Sequence, residues 1–324
     1  MLRFGVIGTN FISDWFVGAC AGRADVTAVY SRNPDTAKAF ASRHGIEKAT
    51  TKLDEMIAAV DAVYVASPIR AHHQQALTAL RAGRHVLVEK TMAGSAKQVG
   101  EIQAAAMASG LVAMEAVRNL HTPAYQAIKD ALPRLGTLRQ ADLVKEQYSS
   151  RYDAFKAGEV LNAFDPALDN SAIADIGVYP LQPALDLFGV GPIATHGSSV
   201  LLDNGFEAAG SLVLGYPDRV ATVSWSKITA GVTPSVILGE DGALTIDDIA
   251  ETSRVTFTPR SGDAEVLFDR APVSPGETMA GEIESFLAQV DAGASDQHLA
   301  ALTLASRRIM DAQLAQYHPM PDER

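Results

Sequence analysis

The sequence predicts an α/β protein: an N-terminal doubly wound parallel sheet of the dinucleotide-binding (Rossmann) kind, then an α+β domain with a large, mostly antiparallel sheet. Three observations carry this expectation. Over roughly the first 120 residues, short apolar runs alternate with amphipathic helical stretches, as buried parallel strands with helices on both faces require. The first run ends in a glycine turn, GVIGTNFIS (5–13), that opens a helix. Beyond that region, strand-like segments follow one another through tight turns and so pair as antiparallel neighbours.

The elements follow in order. RFGVIG (3–8), VTAVY (26–30), DAVYVAS (61–67), HVLVE (85–89) and LVAME (111–115) are nearly continuous apolar runs and read as strands covered on both faces. Between them, DTAKAFASRHG (35–45), HHQQALTALRAGR (72–84) and SAKQVGEIQAAAMASG (95–110) have helical periodicity, with Gly45, Gly83 and Gly110 placed as C-terminal caps. VRNLHTP (117–123) breaks the alternation, so the chain is expected to divide into 1–120 and 121–324. A helix over 122–132 leads into a long strand over 137–148, and a second helix spans about 171–187. Strands then follow in ATHGSSVLLD, EAAGSLVLGY, RVATVSWSKI, PSVILGE, GALTID and RVTFTP, separated by turn pairs such as Pro217-Asp218 and Asp241-Gly242. Helices over 279–292 and 296–317 close the chain. RVATVSWSKI (219–228) has apolar residues on both alternating sets, which predicts helices on one face and a second subunit on the other: a homodimer or a dimer-based oligomer.

Composition narrows the function. A chain of 324 residues exceeds a typical single core, and 47% hydrophobic residues suffice for two. A net charge of −11 without a basic stripe argues against a nucleic-acid partner. The single cysteine, Cys20, reads as a small core residue of the first helix; no thiol cluster offers a metal site, and no metal is expected. The chain enters an apolar strand at once, without a leader pattern, and no apolar run is long enough to span a bilayer. A cytoplasmic protein without membrane partners is the expectation.

In the glycine turn, Gly8, Asn10 and Ser13 align with the three fixed positions of G-x-G-x-x-G. Gly8 makes the turn, and Ser13 is small enough for close helix–sheet packing. Asn10 replaces a glycine; Asn tolerates positive φ better than other side chains, and its amide is expected to point outward and donate to a phosphate. The loop Gly8-Thr9-Asn10-Phe11-Ile12 then offers its N–H groups and a helix N-terminus to an anion. The second strand ends at Tyr30-Ser31-Arg32-Asn33, where NAD binding calls for a carboxylate on the ribose 2′-hydroxyl. Ser31 and Arg32 suit a 2′-phosphate instead, so NADP is predicted over NAD; Asp25 and Asp35 lie outside the strand end.

Two stretches have chemical potential. HVLVEKTM (85–92) puts Glu89 and Lys90 at the carboxyl edge of a buried strand, where open α/β sheets bind ligands; a lysine at a strand end is otherwise an ordinary surface residue. ADIGVYPLQ (174–182) puts Asp175 and Tyr179 four apart on one helical face, able to hold and deprotonate a hydroxyl; the alternative is a helix-start aspartate and a packed aromatic.

Together the glycine turn, SPIRAHHQQAL, VEKT and DIGVY resemble the Gfo/Idh/MocA oxidoreductases, the glucose-fructose oxidoreductase and inositol dehydrogenase group, over nearly the whole chain. The Tyr form and KEQYSSRYDAFKAGEVLNAFDP (145–166) are most similar to the dimeric dihydrodiol dehydrogenase and its bacterial relatives. The resemblance implies an NADP-dependent dehydrogenase or reductase of a sugar, cyclitol or vicinal diol. It implies that Lys90 contacts nicotinamide ribose and substrate, that Asp175 orients the substrate hydroxyl, and that Tyr179 is the general acid/base in place of the commoner His. It puts Ser67, Pro68 and His72 beside the cofactor, Glu89 at the nicotinamide edge, Arg118 and His121 toward the substrate, and Tyr148, Arg151, Tyr152 and Asn162 among polar substrate contacts. The sequence departs from the family pattern at Thr91 (usually Pro), Ile69 (usually Asn, so one amide contact is lost) and Asn170-Ser171-Ala172 (usually a glycine run). A non-catalytic dinucleotide-binding regulator is the rival class; such members tend to lose the lysine or the D-x-G-x-H/Y set, and this chain keeps both. Hydride chemistry on a non-sugar carbonyl, as in biliverdin reductase relatives, fits the polar 145–166 stretch less well.

Overall fold

The computed structural model describes residues 1–317, which divide into two compact units. The first comprises Met1–His121 and Val273–Ala300; the second, Thr122–Pro272 and the chain from Ala301 onward.

The first unit is a six-stranded parallel sheet in the order β3-β2-β1-β4-β5-β6, formed by β1 (Arg3–Ile7), β2 (Asp25–Tyr30), β3 (Lys48–Thr50), β4 (Ala62–Val65), β5 (His85–Glu89) and β6 (Ala113–Ala116). Its helices are α1 (Phe11–Cys20), α2 (Pro34–His44), α3 (Leu53–Ile57), α4 (Ile69–Arg81) and α5 (Ala96–Ser109). β4 and β6 are buried along their whole length, which is why β4 is apolar without alternation; β6 carries one charged residue, the buried Glu115. Local chemistry sets the helix ends: Asn33 accepts from the Asp35 and Thr36 amides before Pro34 opens α2, and Gly45 ends it at φ 66°. β3 and α3 carry no periodic signal; β3 exists because it pairs in parallel with β2, Ala28 opposite Lys48. Cys20 is buried on α1, and burial pushes its thiol up to about 12, an inert core residue.

The core of this unit is completed from far along the chain. Helix α9 (Pro275–Ala292) packs on α1, and its Met279, Ile283 and Phe286 join Phe4, Phe16 and Tyr64. The Phe16 and Tyr64 rings stack 3.7 Å apart, and Phe286 lies 5.5 Å from Phe4. A division at residue 120 therefore misplaces α9, because nothing local marks a helix that returns to an earlier core.

The second unit is an eight-stranded sheet in the order β14-β13-β12-β11-β7-β10-β9-β8. Its strands are β7 (Leu138–Glu146), β8 (Ala194–Leu201), β9 (Glu207–Gly215), β10 (Val220–Ser226), β11 (Ser235–Gly239), β12 (Gly242–Ile246), β13 (Arg254–Pro259) and β14 (Glu265–Asp269). Only β7 and β10 run parallel; β14 was not legible in the sequence and pairs with β13 at the edge. The remaining helices are α6 (Pro123–Ala131), α7 (Tyr152–Lys156), α8 (Val178–Phe188) and α10 (Gln297–Ala315). α8 packs on β7 and β10, burying Leu181 and Leu185 with Leu143, Val223 and Trp225. The opposite face is less apolar than expected: β10 presents Val220, Thr222 and Ser224 there, and Ser224 shares a 3.0 Å hydroxyl contact with Ser211 of β9.

Candidate active site

The glycine turn fits a dinucleotide, by a different division of labour from the one its sequence predicts. Gly8 has φ 112°, and a Cβ there would lie 2.7 Å from the Ala66 carbonyl oxygen, so only glycine fits the close approach to β4. Asn10 is not in the left-handed region: φ is −87°, and its side chain caps α1 by accepting from the Ser13 amide at 3.1 Å. Its amide nitrogen donates to the Ala66 carbonyl at 2.8 Å. The outward, phosphate-donating Asn10 is thus corrected to a structural one that clamps the loop to the β4 edge. Thr9, Phe11 and Ile12 lie on this turn and the first turn of α1, with Phe11 exposed and Thr9 and Ile12 half-buried.

At the end of β2, Ser31 Oγ lies 2.7 Å from Thr36 Oγ1 and accepts from the Asn33 amide at 3.3 Å. Arg32 is exposed beside them, and no carboxylate occupies the strand end; Asp25 begins the strand and Asp35 sits in the first turn of α2. A glycine turn, a capped helix N-terminus and a hydroxyl–guanidinium edge form a donor set for a phosphorylated dinucleotide.

Lys90 follows β5 at the carboxyl edge of the sheet, half-buried, on a segment braced from two sides. His72 is buried, with Nδ1 3.1 Å from the Thr91 carbonyl and Nε2 2.6 Å from the Ser67 carbonyl. The ring thus lies between two backbone carbonyls, its single N–H in the neutral form donating to one of them, which makes His72 a brace between the β4–α4 turn and the lysine segment. Burial lowers its imidazole pKa, against the pull of the carbonyls. Buried Glu115 accepts from the Met92 amide at 2.7 Å. The Lys90–Thr91 peptide is cis. Ser67 bonds Gln75 at 2.6 Å, and Pro68 precedes α4 without capping it by side chain.

Glu89 accepts a hydrogen bond from the buried Tyr64 hydroxyl. Burial raises its carboxyl, against the nearby Lys90 ammonium. Glu282 of α9 lies buried with neither oxygen hydrogen-bonded among the described residues; burial, then the Glu89 charge, push it well above the carboxylate range, and Arg118 opposes them. Arg118 donates to Thr278 at 2.8 Å. The sequence did not reveal this bond, nor that the Arg118 charge would oppose the rise of both carboxyls. His121 ends the same short turn, with its carbonyl 2.1 Å from where a Cβ on Gly281 would stand.

In the second unit the helix expected over 171–187 begins with a π turn, Ile173–Gly177, and continues as α8. Such turns mark functional sites more often than plain helix does. The turn rests on Trp225: a Cβ on Gly177 would lie 3.1 Å from the indole. Glu207 fixes both, its two oxygens accepting from the Ile173 amide at 2.8 Å and the Trp225 indole N–H at 2.7 Å. Burial raises the Glu207 carboxyl to about 7. The turn carries Asp175, a third exposed at 33%, and α8 carries the buried Tyr179. Asp175 Oδ2 lies 2.7 Å from the ammonium of Lys227, which the sequence reading passed over; the available signal was a lysine at the end of a strand, in SWSK.

Within the polar 145–166 stretch lie the short helix α7 and an aromatic ladder. Tyr148 meets Tyr152 edge-on at 5.5 Å; Tyr152 stacks on Phe155 at 6.2 Å and on buried Phe164 at 5.6 Å. Tyr148 donates to Asp153 at 2.7 Å, Arg151 is exposed ahead of α7, and exposed Asn162 accepts from Asn170 at 3.3 Å through its carbonyl. Among the described residues no group of three or more His, Cys, Asp or Glu is placed to hold a metal, and no helix is long and apolar enough to cross a membrane.

Known proteins share this architecture. Residues 2–117 match the family described as "Oxidoreductase family, NAD-binding Rossmann fold", GFO_IDH_MocA. The scyllo-inositol 2-dehydrogenase (NADP(+)) of Bacillus subtilis is 38% identical over 96% of this chain and 95% of its own length. The trans-1,2-dihydrobenzene-1,2-diol dehydrogenase of Bos taurus is 28% identical, over 72% of this chain and 70% of its own. A solved 3-ketoreductase from Actinomadura kijaniata, in complex with NADP and TDP-benzene, superposes with a TM-score of 0.81 at 25% identity over 96% of both chains. With the glycine turn, the VEKT edge and the D-x-G-x-Y turn in place, this likeness over its full length makes the chain a member of the Gfo/Idh/MocA oxidoreductase family.

Proposed function

We propose that the protein is an NADP-dependent oxidoreductase acting on a carbinol of a sugar, cyclitol or vicinal diol, with Lys90, Asp175 and Tyr179 as its acid–base set. The observation that carries the reading is that both halves of the chemistry are retained: a lysine braced at the carboxyl edge of β5, and a carboxylate on the π turn with a phenol on the α8 helix that continues it. The resemblance in length and sequence to an NADP-dependent inositol dehydrogenase supports it.

The Gly8–Ile12 turn and the Ser31–Arg32 edge would hold a nicotinamide dinucleotide, which when bound would supply an acceptor for the hydride of the carbinol carbon. The chain must handle the proton. Tyr179 takes it from the hydroxyl oxygen; a free phenol near pKa ~10 is a poor base at neutral pH and needs a cation to stabilise its phenolate, the part that the family resemblance gives to Lys90. Asp175 accepts from a substrate hydroxyl and fixes its orientation. Reduction runs the same proton steps backward.

The test is nicotinamide absorbance with NADP⁺ or NAD⁺ over a panel of aldoses, cyclitols and trans-diols, Lys90→Met serving as control. Lys90-dependent turnover is expected with at least one cyclitol or sugar; tight NADPH binding without any turnover would favour a regulator. For the cofactor, Arg32→Ala should weaken NADPH binding ~10-fold or more while changing NADH little, since the lost partner is a phosphate. Equal losses for both cofactors would remove Arg32 from the 2′ site.

The same reading makes the protein a homodimer through the Ser/Thr/Val face of β9, β10 and β7, and a cytoplasmic enzyme without nucleic-acid or membrane partners. Sedimentation at micromolar concentration should show a dimer, and a monomer would overturn that assignment. Cell fractionation checks the location.

A further inference from the structure

Lys227 has no place in the chemistry above, yet it is 3% exposed, one of the most buried charges in the second unit. Its backbone is fixed on both sides: its amide donates to the Ala208 carbonyl at 2.9 Å, and its carbonyl accepts from the Ser149 amide at 2.9 Å. The side chain is therefore aimed. Its ammonium lies 2.7 Å from Asp175 Oδ2, donates to the Ala163 carbonyl at 2.7 Å, and faces the Phe164 and Phe206 rings at 4.8 and 5.2 Å. A buried ion pair gives little net stability over apolar packing of the same volume, so stability alone does not account for it. What the arrangement does provide is orientation. One ammonium joins the π turn carrying Asp175 to the backbone at the inner end of the aromatic ladder.

We propose that Lys227 is a positioning residue for the reaction: it holds Asp175 as an oriented carboxylate and locks the 148–164 segment onto the turn that bears it. The inference rests on the function proposed above, because only there does Asp175 meet a substrate hydroxyl. With Oδ2 held by Lys227, Asp175 still has part of its surface open to solvent, so it can accept from a substrate while staying fixed. Substrate binding then depends on a residue that does not touch the substrate.

Lys227→Met, Asp175→Asn and the double variant, each in the full chain, test this. In Lys227→Met the KM for the organic substrate should rise ~10-fold or more while the KM for NADP⁺ stays within about two-fold, a split that general destabilisation would not produce. The double variant should be no worse than the poorer single one, because both remove the same contact. Hydrogen exchange at the amides of 162–165 and 173–177 should quicken in Lys227→Met. If that variant does not fold, Lys227→Gln, which keeps a donor without the charge, carries the same comparison. An unchanged substrate KM, or losses that multiply in the double variant, overturns the proposal. If the wild type turns over no substrate, the functional reading fails by itself; the exchange experiment still decides whether Lys227 ties the two segments, and unchanged exchange there overturns the tie.

Discussion

Lys90→Met should abolish turnover while sparing most NADPH binding. General acid–base assistance is worth about 10²- to 10⁴-fold, and the loss should fall in that range at saturating substrate. Methionine matches the lysine stem in length, and the segment around it is held by backbone contacts that do not involve the side chain: His72 on the Thr91 carbonyl and Glu115 on the Met92 amide. The frame should survive the substitution. The features proposed to hold the phosphates, the Gly8 turn with its Asn10 clamp and the Ser31–Arg32 edge, are separate from β5, so NADPH affinity should move by no more than a few-fold. One local change accompanies the substitution. The Lys90 ammonium opposes the upward push of burial on Glu89, so without it Glu89 is protonated to a higher pH, and its bond from Tyr64 persists in either state. Stopped-flow and steady-state kinetics with NADPH fluorescence titration settle the matter; full activity in this variant would end the assignment, and NADPH affinity lost in proportion to turnover would make Lys90 a cofactor ligand alone.

What was legible in the sequence was what is local. The strand–turn–helix at 3–20 and the strand at 85–89 are written in contiguous apolar runs and caps, and the fold class follows from their alternation. Legibility failed where the deciding contact is distant. Asn10 could be read as a phosphate donor because only the structure shows Ala66 within reach of its amide. The spacing of Asp175 and Tyr179 implied one regular helical face, but Trp225 against Gly177 and Glu207 on the Ile173 amide impose a π turn there. Lys227 was missed, and the partners of Arg118 and of the helix over 279–292 were not foreseen, for the same reason: they are brought close only by folding. The candidate residues were read from motifs, whereas Lys227 and Glu207, which hold the turn bearing Asp175, have no motif to be read from.

Glu207 illustrates the second class, and its replacement should have the larger effect on stability. Both of its oxygens accept from buried N–H donors, so Glu207→Gln places an amide nitrogen against one of those donors. A buried donor left without an acceptor costs ~1–3 kcal/mol, and Glu207→Ala, which strands two, should cost about 3–5 kcal/mol. The pH dependence discriminates further. The folded carboxyl is raised to about 7, above the ordinary value near ~4.3 of an unfolded chain. Between those values the folded state binds more protons than the unfolded state, so the contribution of Glu207 is complete at lower pH and is lost as pH rises through 7. The advantage of the wild type over Glu207→Gln should therefore be greatest at or below pH ~4 and shrink by on the order of 3–4 kcal/mol toward pH ~8. The chain has two tryptophans, Trp15 in the first unit and Trp225 in the second, so denaturation followed by fluorescence in a Trp15→Phe background reports the second unit alone. An advantage that grows with pH would mean that the two N–H donors outweigh burial and that Glu207 works as an ionised cap. Either way, because Glu207 holds the first residue of the turn that bears Asp175, Glu207→Gln should lower kcat/KM for the organic substrate while leaving NADPH affinity unchanged, and a variant with unaltered kinetics would show that the turn keeps its shape without its cap.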